Sequence, residues 1–191
     1  MTIVAFYGSI RDKGNSERLA EIALQDLEVT KVFLRDYHIR PISDWNQTEL
    51  LKSEADDYPA LIRKQMLADV IVFITPVYWY GMSSLLKLYI DRWSETLRDP
   101  AFPDFREKMK AKEVHLITVG GDDPYIKALP MIQQMEYICD FLKMKFDSYI
   151  IGRGDKKGEV FTDEKALHSA ADLNNYLKSQ FQEASKRGRN V

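Results

Sequence analysis

"TIVAFYGSIRDKGNSERLAEIALQDL" (residues 2–27) decides the fold. Residues 2–7 are an apolar, β-branched run, the signature of a buried strand. Beyond Ser16 the apolar residues Leu19, Ala20, Ile22, Ala23, Leu24 and Leu27 gather on one side of a 3.6-residue period, with Glu and Gln opposite, so a helix follows. Between them lies "GSIRDKGNS" (8–16), with two glycines, two serines, an asparagine and an arginine. A plain reversal needs fewer special residues. The unit is a strand, a decorated loop and a helix.

The same alternation continues along the chain. "DVIVFIT" (69–75) and "EVHLITV" (113–119) read as strands, and "TKVFLRD" (30–36) and "DSYIIG" (147–152) as weaker ones. The nearly continuous apolarity of 69–75 suits a parallel strand covered on both faces. Helical spacing recurs over 58–68, 83–97, 125–144 and 163–184. Five strands alternating with five helices indicate βαβ crossovers and an α/β fold, a doubly wound five-stranded parallel sheet with helices on both faces. Its common strand order is 2-1-3-4-5, with ligands held beyond the carboxyl ends of strands 1 and 3, where the winding reverses. One domain over 1–185 is expected, with 186–191 a frayed tail and the polar stretch 44–57 a surface excursion.

Composition narrows the class. A net charge of −2 over 191 residues implies neither a nucleic-acid partner nor an anionic membrane. No apolar run approaches the roughly 18–20 residues of a membrane span, and no secretory leader is visible. A single cysteine, Cys139, excludes an internal disulfide and any cysteine-held metal or iron–sulfur site. Within "YICDFL" it reads as an inert core thiol. The expected location is cytoplasmic.

Three marked loops follow candidate strands 1, 3 and 4. In the first, Ser9, Asn15 and Ser16 offer short polar groups. Gly8 and Gly14 admit close backbone approach, and Arg11 adds a guanidinium. Asn15 or Ser16 can cap the helix, leaving its first N–H groups for an anion such as a phosphate monoester. The loop is neither a Walker loop nor G-x-G-x-x-G. The second, "TPVYWYGMSS" (75–84), sets Pro76, Tyr78, Trp79, Tyr80 and Gly81 just past a buried strand, where aromatics suit a flat ring. The third, "VGGDDP" (119–124), leaves Gly120-Gly121-Asp122 open to a planar approach. Phosphate at one end and a planar ring at the other describe flavin mononucleotide (FMN).

These stretches resemble the flavodoxin-like NADPH-dependent FMN reductase superfamily, in the branch related to quinone reductases and iron–sulfur flavoproteins. "GSIRDKGNS" looks like its Gly-Ser-x-Arg-x-x-Gly-Asn-Ser/Thr loop. "TPVYWYGMSSLLKLYIDR" (75–92) is similar to its Thr-Pro-Val-Tyr…Leu-Lys-x-x-Ile-Asp-Arg signature, and "VGGD" sits where its third flavin loop belongs. The resemblance covers roughly residues 1–155. It implies that Ser9, Arg11, Gly14, Asn15 and Ser16 hold the FMN phosphate. Pro76, Val77, Tyr78 and Trp79 would border the ribityl chain and ring, and Gly120, Gly121 and Asp122 would flank the ring from the other side. Lys87 and Asp91, spaced i, i+4, read as a structural pair. The absence of cysteines in 35–68 excludes the cluster of the iron–sulfur branch.

The implied activity is transfer of electrons from NADPH or NADH through FMN to a quinone, flavin, azo or nitro acceptor. Flavin N5 takes the hydride and no catalytic side chain is required. His38, His115 and His168 read as structural. The alternative is a flavodoxin-type electron carrier, disfavoured by the near-neutral charge and by Arg11. A phosphate-binding or receiver-type module is disfavoured because only Asp12 supplies a carboxylate in the first loop. A homodimer or homotetramer is expected, with Trp79, Tyr80 and Trp93 as exposed interface aromatics.

Overall fold

In β1 (Ile3–Tyr7) every residue is buried, and odd and even positions serve different cores. Val4 and Phe6 face one side of the sheet, and Ile3, Ala5 and Tyr7 face the other. The computed structural model describes residues 1–42 and 56–187. After β1 come α1 (Asn15–Ala23), β2 (Val29–Phe33), α2 (Tyr58–Leu67), β3 (Val70–Pro76), α3 (Ser84–Asp91) and α4 (Trp93–Thr96). They are followed by α5 (Phe105–Lys110), β4 (Glu113–Gly120), α6 (Pro124–Lys127), α7 (Leu129–Leu142), β5 (Lys145–Arg153) and α8 (Glu164–Arg187).

The strands form one parallel sheet in the order β2-β1-β3-β4-β5, as expected. One face packs on α2, α3, α4, α5 and α7 through Leu61, Leu86, Tyr89, Trp93, Met109 and Met135. The other packs on α1 and α8 through Leu19, Ala20, Ala23, Ala170, Leu173 and Leu177. Two apolar faces explain why β3 reads as an unbroken apolar run.

The structure refines several expectations. The helical stretch 83–97 breaks at Arg92 into α3 and α4. The stretch 125–144 divides at Ala128 into α6 and α7, and α5 was not anticipated. The second strand ends at Phe33, and Leu34–Asp36 turns as a 3₁₀ segment. Trp93 is 4% exposed, packed edge-on against Tyr89 and Phe105 inside the core, so it is not an interface aromatic. The expected excursion 44–57 falls mostly on 43–55, outside the described residues, as do 188–191 of the expected tail. The last helix continues through Arg187, three residues past its expected end at 184 and two past the expected domain boundary at 185.

Arg92 carries the main buried polar cluster. Its guanidinium bonds the Asp56 carboxylate at 2.9 Å, Glu95 at 2.6 Å and the Arg40 carbonyl at 3.0 Å, and it lies over the Tyr58 ring. Lys87 and Asp91, one turn earlier, pair at 2.6 Å as expected, half-exposed. The Cys139 thiol is buried, and burial pushes its pKa up to about 12, consistent with an inert core role.

Candidate flavin site

The first two marked loops meet at their roots. Gly8 donates its N–H to the Ile74 carbonyl at 2.7 Å, and a β-carbon on Gly8 would lie 2.6 Å from Ser83 Oγ and 3.0 Å from Leu86 Cβ. Only glycine permits that approach. Ser83 in turn caps α3, accepting from Leu86 N–H, and donates its own N–H to the buried Thr75 hydroxyl.

Beyond this junction the 9–14 loop folds on itself. Ser9 Oγ accepts the Arg11 N–H at 3.1 Å and donates to the Arg11 carbonyl at 3.2 Å, and Lys13 adopts a left-handed conformation with φ +51°. The N-cap of α1 is Gly14, with no side-chain cap. The expectation that Asn15 or Ser16 caps the helix is therefore corrected: both lie in its first turn. The initial N–H groups of a helix lack intrahelical partners, and this uncapped turn borders a cavity of 220 Å³ together with Ser9, Arg11, Pro76, Val77, Tyr78, Gly120 and Gly121.

Asn15 lies on that cavity, but its side chain reaches elsewhere. Its Oδ1 accepts the Gly158 N–H at 2.8 Å and its Nδ2 donates to the Lys156 carbonyl at 2.9 Å. These bonds draw in the loop after β5, which sequence reasoning missed. That loop adds Gly154, Asp155 and Lys157 to the wall, as Asp12 and Val119 are added from the other loops. A β-carbon on Gly154 would meet Asn15 Nδ2 at 2.8 Å and the Val160 nitrogen at 2.9 Å. The glycine-rich run "GRGDKKG" (152–158) was the available signal.

The second loop ends in a two-residue reversal. Tyr78 and Gly81 exchange both backbone hydrogen bonds at 3.0 Å, and Trp79 and Tyr80 take φ +48° and +63°. Trp79 is 95% exposed. Tyr80 donates its hydroxyl to Asp122 at 3.0 Å, and Lys127 Nζ lies 2.7 Å from both Asp122 oxygens. The Lys127 bond, then the Tyr80 bond, hold the Asp122 carboxyl below the usual carboxylate range. A second cavity of 510 Å³, lined by Val77, Trp79, Tyr80, Gly120, Gly121, Asp122 and Asp155, shares Val77, Gly120, Gly121 and Asp155 with the first.

All twelve expected site residues therefore border one or both of two adjoining cavities at the sheet edge. The arrangement fits a phosphate ester of a flat ring. Hydroxyls, a guanidinium, the Lys157 ammonium and an uncapped helix turn gather at one end. The second cavity is walled by Val77, the Gly120 and Gly121 backbone, the Trp79 and Tyr80 rings, and the Asp122 and Asp155 carboxylates. Of the histidines, His115 is buried and bonds Ser148 at 2.8 Å and Glu113 at 3.0 Å, His168 pairs with Asp172 on the surface, and none lines either cavity.

The family model described as NADPH-dependent FMN reductase matches residues 1–152. A Bacillus subtilis (strain 168) protein named "Putative NAD(P)H-dependent FMN-containing oxidoreductase YwqN" is 43% identical over 174 residues, 91% of this chain and 96% of its own length. The solved structure of the Trp repressor binding protein from Bacillus subtilis is 40% identical, with TM-score 0.78 over 90% of this chain and 97% of that one. An FMN-dependent NADH-azoreductase from Bacillus anthracis, solved in complex with FMN, shares the fold at 13% identity and TM-score 0.65, over 93% and 99% of the two chains. With the family model matched over residues 1–152 and the sheet in flavodoxin-like order, this chain belongs to the NADPH-dependent FMN reductase family.

Proposed function

We propose that the chain moves electrons from NADPH or NADH to a small quinone, flavin, azo or nitro acceptor through FMN seated in the two adjoining cavities. The observation that carries this reading is the convergence of an uncapped helix turn and a glycine-walled slot on the one edge where the winding reverses. Ser9, Arg11 and Ser16, with the backbone of Gly14 and Asn15, take the phosphate. Pro76, Val77, Tyr78 and Trp79 border the ribityl chain and ring, and Gly120, Gly121 and Asp122 lie on the opposite side. Bound FMN supplies hydride acceptance and electron release. The chain's own residues orient the ring, and the Tyr80–Asp122–Lys127 bridge ties two of the loops together on the ring side.

Absorption near 375 and 450 nm by the purified protein, an expectation for flavins in general, and rapid bleaching on mixing with NADPH or NADH test the reading. A bound flavin inert to both nicotinamides would overturn it.

Trp79, exposed beside the ring cavity, is positioned to cover an aromatic acceptor or to meet a second copy in a homodimer or homotetramer. The solitary buried thiol supports a cytoplasmic protein. No helix among the described residues is long and apolar enough to cross a membrane.

The strained reversal gives a separate test. Non-glycine residues in the left-handed region cost of order 1 kcal/mol each, and Asn-Gly is the pair this turn favours. Replacing Trp79 alone by Asn, which leaves the Tyr80–Asp122 bond in place, is expected to raise the melting temperature by about a degree or two, while KM for aromatic acceptors rises several-fold. Unchanged KM would remove Trp79 from the acceptor face.

A further inference from the structure

Arg35 stands just past the end of β2, the edge strand beside β1, and it does not line either cavity. Its guanidinium lies 4.6 Å over the Phe33 ring, which stacks on the buried Tyr7 at 4.5 Å. From that platform it reaches the back of the first loop. Its Nη1 donates toward the carbonyls of Ser9 at 3.5 Å and Arg11 at 3.3 Å and toward Glu17 Oε2 at 3.4 Å, and its Nη2 bonds Asp12 at 3.1 Å. Nε is 3.9 Å from Asp36. Only 19% of the side chain is exposed. Glu17, also nearly buried, uses the same oxygen to accept the Lys13 N–H at 3.0 Å.

These contacts answer a problem the loop sets for itself. An anion cradle must turn N–H groups toward its ligand and carbonyl groups away. Two carboxylates also belong to this loop and the first helical turn: Asp12 on the cavity wall, and Glu17 behind it. Uncompensated, both oppose a phosphate. One guanidinium with a fixed fork of donors can hold two carbonyls and face two carboxylates at once, which a lysine ammonium cannot.

We propose that Arg35 is a positioning residue for the phosphate end of FMN: by drawing the Ser9 and Arg11 carbonyls toward β2 and neutralising Asp12 and Glu17, it turns the loop into an anion site. The edge strand thereby shapes a site it does not touch. This inference rests on the reading of the first loop as the phosphate site.

The test compares FMN with riboflavin, which has the ring and ribityl chain but no phosphate. Protein stripped of its flavin is titrated with each, and the quenching of flavin fluorescence gives both affinities. Phosphate-dependent selectivity in the unaltered protein tests the reading of the loop; the variants test Arg35. Arg35→Ala is expected to weaken FMN binding roughly 10- to 100-fold, the worth of a charge-assisted contact, with riboflavin changed less than about threefold. Arg35→Lys is expected to restore only part of the loss. Asp12→Asn added to Arg35→Ala is expected to recover FMN affinity, because it removes an uncovered carboxylate. Where Arg35→Ala does not accumulate folded, Arg35→Gln, which keeps bulk and polarity without charge, carries the same comparison. Equal weakening of FMN and riboflavin, or FMN affinity unchanged, overturns the proposal.

Discussion

Replacing Arg92 by alanine is expected to destabilise the fold by about 3–5 kcal/mol, because it strips a buried carboxylate of its closer guanidinium and leaves it only Arg40. The Asp56 side chain is 6% exposed, with Arg92 at 2.9 Å and Arg40 at 3.3 Å. Burial pushes its pKa up, but the Arg92 hydrogen bond and charge, with the N–H groups of Tyr58 and Arg40, outweigh burial and hold it below the usual carboxylate range. The substitution also removes the cation over Tyr58 and the tie to the Arg40 carbonyl. For a chain of this length, about 2–4 °C per kcal/mol implies a melting point lower by roughly 10 °C. Lys87→Ala, which breaks the half-exposed pair one turn away, is expected to change stability by less than about 0.5 kcal/mol. A similar loss for both would mean that burial does not set the worth of the Arg92 cluster.

This cluster and a separate one around Glu113 predict acid sensitivity. A carboxylate whose folded pKa is depressed stabilises the fold above its unfolded pKa of about 3.9 for Asp or 4.3 for Glu. That contribution is lost as pH falls through the folded value. Asp56 is one such group. Glu113, held at about 2 chiefly by the His115 hydrogen bond, against its partial burial, is another. Stability should therefore fall steeply below about pH 4, and in Arg92→Ala the fall should be shallower.

The second large effect concerns the cofactor. Ser16 is 2% exposed, in the uncapped first turn of α1 and on the wall of the smaller cavity. Ser16→Asp would place a carboxylate where the proposed phosphate lies, and a helix N-terminus welcomes that charge. The variant's own side chain would occupy the anion site. Repulsion between unit charges about 4 Å apart near a protein surface approaches 4 kcal/mol, so FMN affinity should drop by about 100-fold or more, with riboflavin binding and thermal stability nearly retained. Lys157→Ala, an exposed cation on the same wall, is expected to cost only a few-fold. Loss of fold in Ser16→Asp, or an equal loss of both flavins, would count against a phosphate at this turn.

The apolar runs announce the strands, and their continuity announces a sheet covered on both faces, because burial patterns are written in consecutive residues. The decorated loops after β1, β3 and β4 are legible for the same reason: a glycine or a short polar group is unusual where the chain merely turns. Local signals overreached where propensity alone was at work. Nothing in the sequence marks that Arg92 turns toward Asp56 and that Trp93 faces the core. The side chain of Asn15 reads as a cap or a ligand group, yet it binds a loop 141 residues away.

The sequence by itself thus determined the parallel sheet and three of the four loops that wall the cavities, and the fold's common topology supplied the strand order. Only the tertiary structure decided that the loop after β5 is the fourth, and that Arg35 stands behind the first. Both depend on contacts between segments far apart in the chain, and such contacts exist only once βαβ winding has brought the carboxyl ends of the strands to one edge.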